Sequence, residues 1–300
     1  MLRVAWSPIY NHALPENHRF PMIKYDLIRE QLLYEGTLRE DHFFTPDPLD
    51  EKWILTTHSS PYLESLHQLN LSKAAIRKMG FPLSKQLIQR EITIAGGTVA
   101  CCEYAMNYGI SMNVAGGTHH AYRNHGEGFC LLNDQAIAAN YVIHRELATK
   151  VLIVDLDVHQ GNGTASLFRT SDQVVTLSIH GANNYPLKKE FSTVDIALPD
   201  GARDQLYLQV LEKTLVRLLE IHKPDFMFYQ SGVDALDNDK LGRIGLSIQG
   251  LKERDRLVLS HAKKHQIPLV ASMGGGYSSK LSDIIECHAN TFRLAQEIYF

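Results

Sequence analysis

The sequence predicts an α/β protein: three layers, with a mostly parallel central sheet and helices on both faces, built as one domain across residues 1–300. Short runs that are β-rich and apolar throughout recur along the chain, as expected of strands buried on both faces. Amphipathic stretches of 15 residues or more lie between them, which makes parallel crossovers the simplest connection. Hydrophobic residues make up 44% of the chain and charged residues 21%. That composition can bury a full core and excludes a disordered chain.

The elements follow in order. "SMNVA" (111–115) reads as a short strand, closed by the glycines of "GGTHH" (116–120). "NDQAIAANYVIHREL" (133–147) has the period of an amphipathic helix. "VLIVDLDV" (151–158) and "VVTLSI" (174–179) are buried strands by composition. "DQLYLQVLEKTLVRLLEIHKP" (204–224) sets Tyr207, Leu208, Leu211, Leu215, Leu218 and Leu219 on one stripe and stops before Pro224. "FMFYQSG" (226–232) is the next strand, "LKERDRLVLSHAKKH" (251–265) the next helix, and "PLVASMGGG" (268–276) the last strand.

Charge and targeting signals narrow the function classes. Thirty basic against 33 acidic side chains leave a net charge of −3, with no basic stripe; direct nucleic-acid binding is not expected. The amino-terminal stretch has Pro8 and histidines where a signal sequence needs an apolar core, and no run approaches ~18 apolar residues. Neither secretion nor a membrane span is expected, and a cytoplasmic location is. The four cysteines lack metal-ligand spacing, and Cys101 and Cys102 are adjacent. They are expected to fill core space as reduced thiols.

In parallel α/β sheets, ligands bind outside the carboxyl ends of the strands. There the 151–158 strand reads "VDLDVHQGNG", with Asp155, Asp157 and His159 two residues apart. An extended backbone would point all three to one face. Buried carboxylates are costly unless paired or bound to a metal. "QSGVDAL" brings Asp234 to the same edge, and "SMGGGYS" turns tightly to present Tyr277. Asp157, His159 and Asp234 supply three N/O ligands and leave one tetrahedral position open, as a catalytic site does. Zinc or Fe(II) suits this set. One imidazole of "GGTHH" can then move a proton between water and a leaving amine, while the other orients and balances charge. Tyr277 can donate to a developing oxyanion. Metal, base and oxyanion donor together describe an amide hydrolase.

These blocks resemble the histone deacetylase family, on the arginase–deacetylase fold. The likeness runs through "GGTHHAYRNHGEGFCLLND", "VLIVDLDVHQGNGT", "VVTLSIHG", "YQSGVDALDNDKLGRIGLS" and "ASMGGGYS", with weaker matches in "LPENHRFPMIKYDLI" and "THSSPYLESL". It implies zinc on Asp157, His159 and Asp234, His120 as principal general base and acid, and His119 as mainly electrostatic. It implies that Asp155 orients His119, that Asn162 holds His120, and that Tyr277 polarises the scissile carbonyl. A structural potassium ion would sit by Asp155, Asp157, His159, Ser178 and Ile179. Phe129 and Tyr185 would wall an acyl-lysine tunnel, with Gly128, Leu241 and Gly275 also lining it. Gly128 would accept the substrate amide at its carbonyl, and Arg19 would stand beside an internal cavity below the metal.

Class I members carry an aspartate three residues after the metal-binding histidine; this chain has Asn162, as class II and IV members do. Chain length, "DVHQGNGT" and "HGANNYPLKKE" make the bacterial form of class IV the nearest likeness. The rim carboxylate that many members use to hold the substrate backbone has no match in "MGFPLSKQLIQRE". A two-metal ureohydrolase would need an acid where Gly232 stands, and a non-catalytic acyl-lysine reader would be expected to lose Tyr277 or a ligand. An acylpolyamine deacylase would place a carboxylate near Leu241 at the tunnel mouth. The expected substrate is therefore an N-acyl-lysine protein or peptide, acetyl or longer, entering past an apolar rim, with a small acylated amine as the alternative.

Overall fold

A computed structural model describes all residues 1–300. Eight strands form one sheet: β1 (Arg3–Ala5), β2 (Phe43–Phe44), β3 (Ile110–Asn113), β4 (Val151–Asp155), β5 (Val174–Gly181), β6 (Val194–Leu198), β7 (Phe226–Gln230) and β8 (Leu269–Ser272). Their order across the sheet is β2-β1-β3-β8-β7-β4-β5-β6, and every neighbouring pair is parallel. The ten helices are α1 (Lys24–Tyr34), α2 (Glu51–Ile54), α3 (Ser60–His67), α4 (Lys73–Met79), α5 (Lys85–Tyr108), α6 (Asp134–His144), α7 (Asn162–Phe168), α8 (Asp204–His222), α9 (Ile248–Lys264) and α10 (Leu281–Tyr299).

Because all strands run the same way, all their carboxyl ends open on one edge. β3, β8, β7 and β4 are neighbours at the middle of the sheet. The turns that follow them hold "GGTHH", the last glycines with Tyr277, Asp234, and the Asp157–His159 segment. Strands far apart in sequence thus deliver their polar ends to one place.

Helices cover both faces. α5 packs across β1, β3 and β8 with α6 beside it, while α8, α9 and α10 pack in succession and α1 lies against α10. β3, β4, β7 and β8 are buried along their whole length, which explains why β4, β7 and β8 are apolar up to their last residue, whereas β3 buries Ser111 and Asn113. β6 alternates in exposure because it is an edge strand. The helix ends have local causes. Ser84, Asn133 and Ser247 accept N–H groups of the first turns of α5, α6 and α9. One contiguous apolar core of 82 buried residues joins the layers. No helix is long and apolar enough to cross a membrane.

Most of the sequence-based strand ends run too long, although β5 continues two residues past its expected end, to Gly181. β4 stops at Asp155, not residue 158, where the Asp157 N–H turns back onto Asp155 Oδ1 at 3.2 Å. Asp155, Asp157 and His159 therefore do not share an extended face. A tight turn, rather than a pleat, brings Asp157 and His159 together. β8 stops at Ser272, which frees Met273–Gly276 to cross over the sheet edge.

Candidate active site

The tandem histidines are placed by a buried carboxylate. Beyond β3 the backbone enters the left-handed region at Gly116 (φ +81°) and Gly117 (φ +76°). A Cβ on Gly116 would lie 2.3 Å from Asp134 Oδ2, and one on Gly117 would lie 2.2 Å from Gln230 Oε1. The turn closes on Asp134, at the first residue of α6. Its Oδ1 accepts the N–H groups of Gly117 and Thr118 at 2.9 Å each, and its Oδ2 accepts the Thr98 hydroxyl at 2.7 Å. His119 and His120 emerge from this clamp with ring centroids 4.1 Å apart.

Asp157, His159 and Asp234 converge beside them, all buried, with one ligand atom from each lying within 4.8 Å of the others. His159 Nδ1 stands 3.0 Å from Asp157 Oδ1 and 3.1 Å from Asp234 Oδ2. Backbone donors fix the carboxylates: Val158 N–H gives to Asp234 Oδ1 at 2.8 Å, and Gly275 N–H gives to Asp157 Oδ2 at 2.9 Å. Only glycine fits at 275, where a Cβ would lie 2.1 Å from Asp234 Oδ2. Burial and the charge of Asp157 push the Asp234 carboxyl up to about 7. Burial works to lower His159, but the hydrogen bonds it gives to Asp157 and Asp234 hold it up at about 10. Two crowded, buried carboxylates around an imidazole are the donor set and charge deficit that a divalent cation satisfies. The chain therefore fits a single metal. At the position of a second-metal acid stands Gly232, whose Cβ would meet Asp157 Oδ2 at 2.4 Å.

The environment divides the histidine pair. His119 Nδ1 donates to Asp155 Oδ2 at 2.7 Å. Burial lowers its pKa, but Asp155 and Asp157 raise it further, to about 9. His120 is driven well below the ordinary value by burial and by the charges of His119 and His159. Its Nδ1–H donates to Asn162 Oδ1 at 2.6 Å. The amide is itself oriented, because Asn162 Nδ2 donates to Glu127 Oε1 at 2.5 Å and so must turn its oxygen to His120. Glu127 is buried and ion-paired to Lys78. Burial raises its carboxyl, but Lys78 and Asn162 outweigh that and hold it below the usual range. The result is an imidazole kept neutral, with Nε2 free to accept a proton.

An outer cavity of about 530 Å³ leads from the surface to this cluster. Gly128, Phe129, Tyr185, Leu241, His120 and Tyr277 are among its walls. The Tyr185 ring meets His120 edge-on at 5.1 Å. The Phe129 ring leans on Phe20 and Phe81 at 5.4 and 5.3 Å. Tyr277 lies 6.5 Å from the His159 ring, and its N–H donates to Asp239 Oδ2 at 2.6 Å. The other oxygen of Asp239 accepts the N–H groups of Leu241 and Gly242. One carboxylate thus ties the Tyr277 loop to the tunnel-mouth loop. Below the cluster is an inner cavity of about 30 Å³, bordered by His119, Gly275 and Arg90.

Three expectations need correction. Arg19 is exposed on the outer mouth. The arginine beside the inner cavity is Arg90, held by the Tyr10 carbonyl at 2.7 Å and by Glu91, with its Nη2 unpartnered. Gly275 borders the inner cavity and the carboxylates, not the tunnel wall. The rim is not apolar: Leu241 is there, but so are Arg19, Arg77, Lys78 and Arg243. Of the residues given to a monovalent cation, Asp155 and Ser178 are register partners on β4 and β5, with Ile179 buried next to Ser178. The Ser178 hydroxyl lies 3.0 Å from His180 Nδ1. Glu127, Asp134, Asp239 and Arg90 were given no site role by the sequence reading. All four stand inside quoted stretches, Glu127 and Asp134 in "GGTHHAYRNHGEGFCLLND", Asp239 in "YQSGVDALDNDKLGRIGLS" and Arg90 in "MGFPLSKQLIQRE", but nothing in their spacing marks them.

A profile of the histone deacetylase domain matches residues 18–292. An uncharacterised protein of Picosynechococcus sp. is 40% identical, across 99% of each chain. Histone deacetylase 2 of Arabidopsis thaliana is 29% identical across 89% of this chain and 72% of its own. Among solved structures, the HDA15 HD domain superposes with a TM-score of 0.81 at 19% identity, covering 98% of this chain and 90% of that one.

Proposed function

From the premise that this chain belongs to the histone deacetylase family and is a metal-dependent deacetylase, we propose that it hydrolyses the amide of an N-acyl-lysine side chain, with zinc on Asp157, His159 and Asp234. The observation that carries this reading is the divided histidine pair beside the acid–imidazole cluster: His119 bonds a carboxylate, Asp155, at 2.7 Å, and His120 a neutral amide, Asn162, at 2.6 Å. Pushing the pKa values of adjacent groups apart separates a base from an electrostatic partner.

The bound ion would supply Lewis acidity toward the carbonyl and draw the pKa of a water toward neutrality. The substrate's four-carbon stem runs between Phe129 and Tyr185, and the Gly128 carbonyl accepts the amide N–H. His120 takes the proton of the attacking water at Nε2, its Nδ1–H held by Asn162 and Glu127. The same nitrogen then delivers the proton to the departing lysine amine. His119, charged through Asp155, offsets negative charge as the carbonyl oxygen becomes an oxyanion. The Tyr277 hydroxyl donates a hydrogen bond to that oxygen. The inner cavity is small, about 30 Å³ against about 530 Å³ for the outer one, which favours acetyl over longer acyl groups. A structural potassium ion by Asp155 and Ser178 belongs to the same reading, supported by the Asp155–Ser178 register.

The test is acetate release from acetyl-lysine peptides by zinc-reconstituted protein. Turnover that disappears with chelation and returns with zinc supports the proposal. A protein that releases acetate only from acetylspermidine would replace it with the small-amine alternative.

A further inference from the structure

The residues that border the outer cavity include Arg19, Arg77, Lys78 and Arg243, and no aspartate or glutamate. The chain as a whole carries a net charge of −3, so this concentration of positive charge runs against the overall balance. The four come from three separate places: the loop before α1, the last turn of α4 and the segment before α9. Lys78 is neutralised by Glu127, and Arg243 pairs with Asp200 at 3.2 Å. Arg19 and Arg77 have no carboxylate partner in the structure, and both are exposed. Arg77 and Lys78 also suit the carboxyl end of α4, but a helix dipole explains neither Arg19 nor Arg243.

We infer that the mouth is an anion subsite that selects acyl-lysine substrates carrying a carboxylate just outside the tunnel. The inference rests on the deacylase reading and adds the identity of the substrate's outer part. When the acylated nitrogen reaches the cluster, the four-carbon stem fills the gap between Phe129 and Tyr185. The α-carbon then lies in the outer cavity, which Arg19 and Arg77 border. Two kinds of carboxylate can reach them: the α-carboxylate of a free Nε-acyl-lysine, or an aspartate or glutamate beside the acyl-lysine in a peptide. An acylpolyamine would instead bring ammonium groups to a positive rim, and like charges there repel.

The experiment compares four zinc-dependent substrates at low and high salt: acetyl-lysine peptides flanked by Asp or by Lys, and Nα,Nε-diacetyl-lysine as free acid or as methylamide. Binding of the same peptides is measured in parallel by fluorescence anisotropy. The inference expects at least about a tenfold advantage in kcat/KM for the carboxylate-bearing member of one or both pairs. That ratio should shrink at high ionic strength and fall toward one or below in R19E/R77E. An advantage in the peptide pair alone identifies an acidic peptide; one in the diacetyl-lysine pair alone identifies a free amino acid. Equal rates within both pairs, or a preference for Lys-flanked peptide, would overturn the subsite while leaving the deacylase reading intact. Tight binding of the carboxylate-bearing ligands without turnover would do the reverse.

Discussion

Replacing Asn162 by aspartate tests how His120 is held. In the native chain the Asn162 oxygen lies 2.6 Å from His120 Nδ1, and its amide nitrogen lies 2.5 Å from Glu127 Oε1. A carboxylate in contact with an imidazole raises its pKa by about 1–3 units. In N162D, however, the donor to Glu127 is lost and two carboxyl groups face one another at hydrogen-bonding distance. Such a pair holds a proton between its members and titrates as a unit. The new negative charge is then only partly present at His120, and the shift should be near one unit. In N162D/E127Q no second carboxylate competes for that charge, and the shift should reach two units or more. The base works only when neutral, so raising its pKa moves the acidic limb of the pH profile of kcat/KM to higher pH. The assay is that profile for wild type, both single variants and the double variant, with zinc content measured in each. Limbs that coincide in N162D and N162D/E127Q, both holding zinc, would refute the linkage from Glu127 through Asn162 to His120.

Three further outcomes follow from contacts already described. Tyr277→Phe should retain fold and metal but lose about 10²–10³ in kcat, the usual effect of one missing oxyanion donor; near-normal kcat would remove Tyr277 from that role. Gly275→Ala places a methyl group 2.1 Å from Asp234 Oδ2 and should weaken zinc affinity at least tenfold in chelator competition, whereas native affinity would show that the carboxylates can move aside. Asp134→Asn should lower the melting temperature by several degrees through unsatisfied buried donors, at about 1–3 kcal/mol. Unchanged melting and activity would mean that the "GGTHH" turn is held by something other than this carboxylate.

Much of the fold was legible because parallel strands buried on both faces are mostly apolar, as β4, β7 and β8 are up to their last residue. β1 and β2 were not: with three and two residues, they exist only through pairing with distant segments. The overshoot at Asp157 has a different cause. Alternating Asp-x-Asp-x-His is compatible with a strand, and only the turn back onto Asp155 Oδ1 shows that the ladder has ended. In the site, residues that do chemistry carry a recognisable spacing, whereas Glu127, Asp134 and Asp239, which hold them, stand in the same blocks with no spacing of their own. Arg90 lies in α5 with no local mark of its role. Glu127 becomes part of the site only because Asn162 arrives from the start of α7. The positive mouth is likewise invisible along the chain, since residues 19, 77, 78 and 243 meet only when folded.

The most direct measurement is a zinc titration of metal-free protein, following acetate release from an acetyl-lysine peptide. With Asp157, His159 and Asp234 as the chain's one group of three such donors, activity should rise linearly and saturate at one equivalent. Asp234→Ala should neither bind that equivalent tightly nor recover activity. Saturation at two equivalents, or undiminished turnover in the metal-free protein, would contradict a single metal centre working with His120.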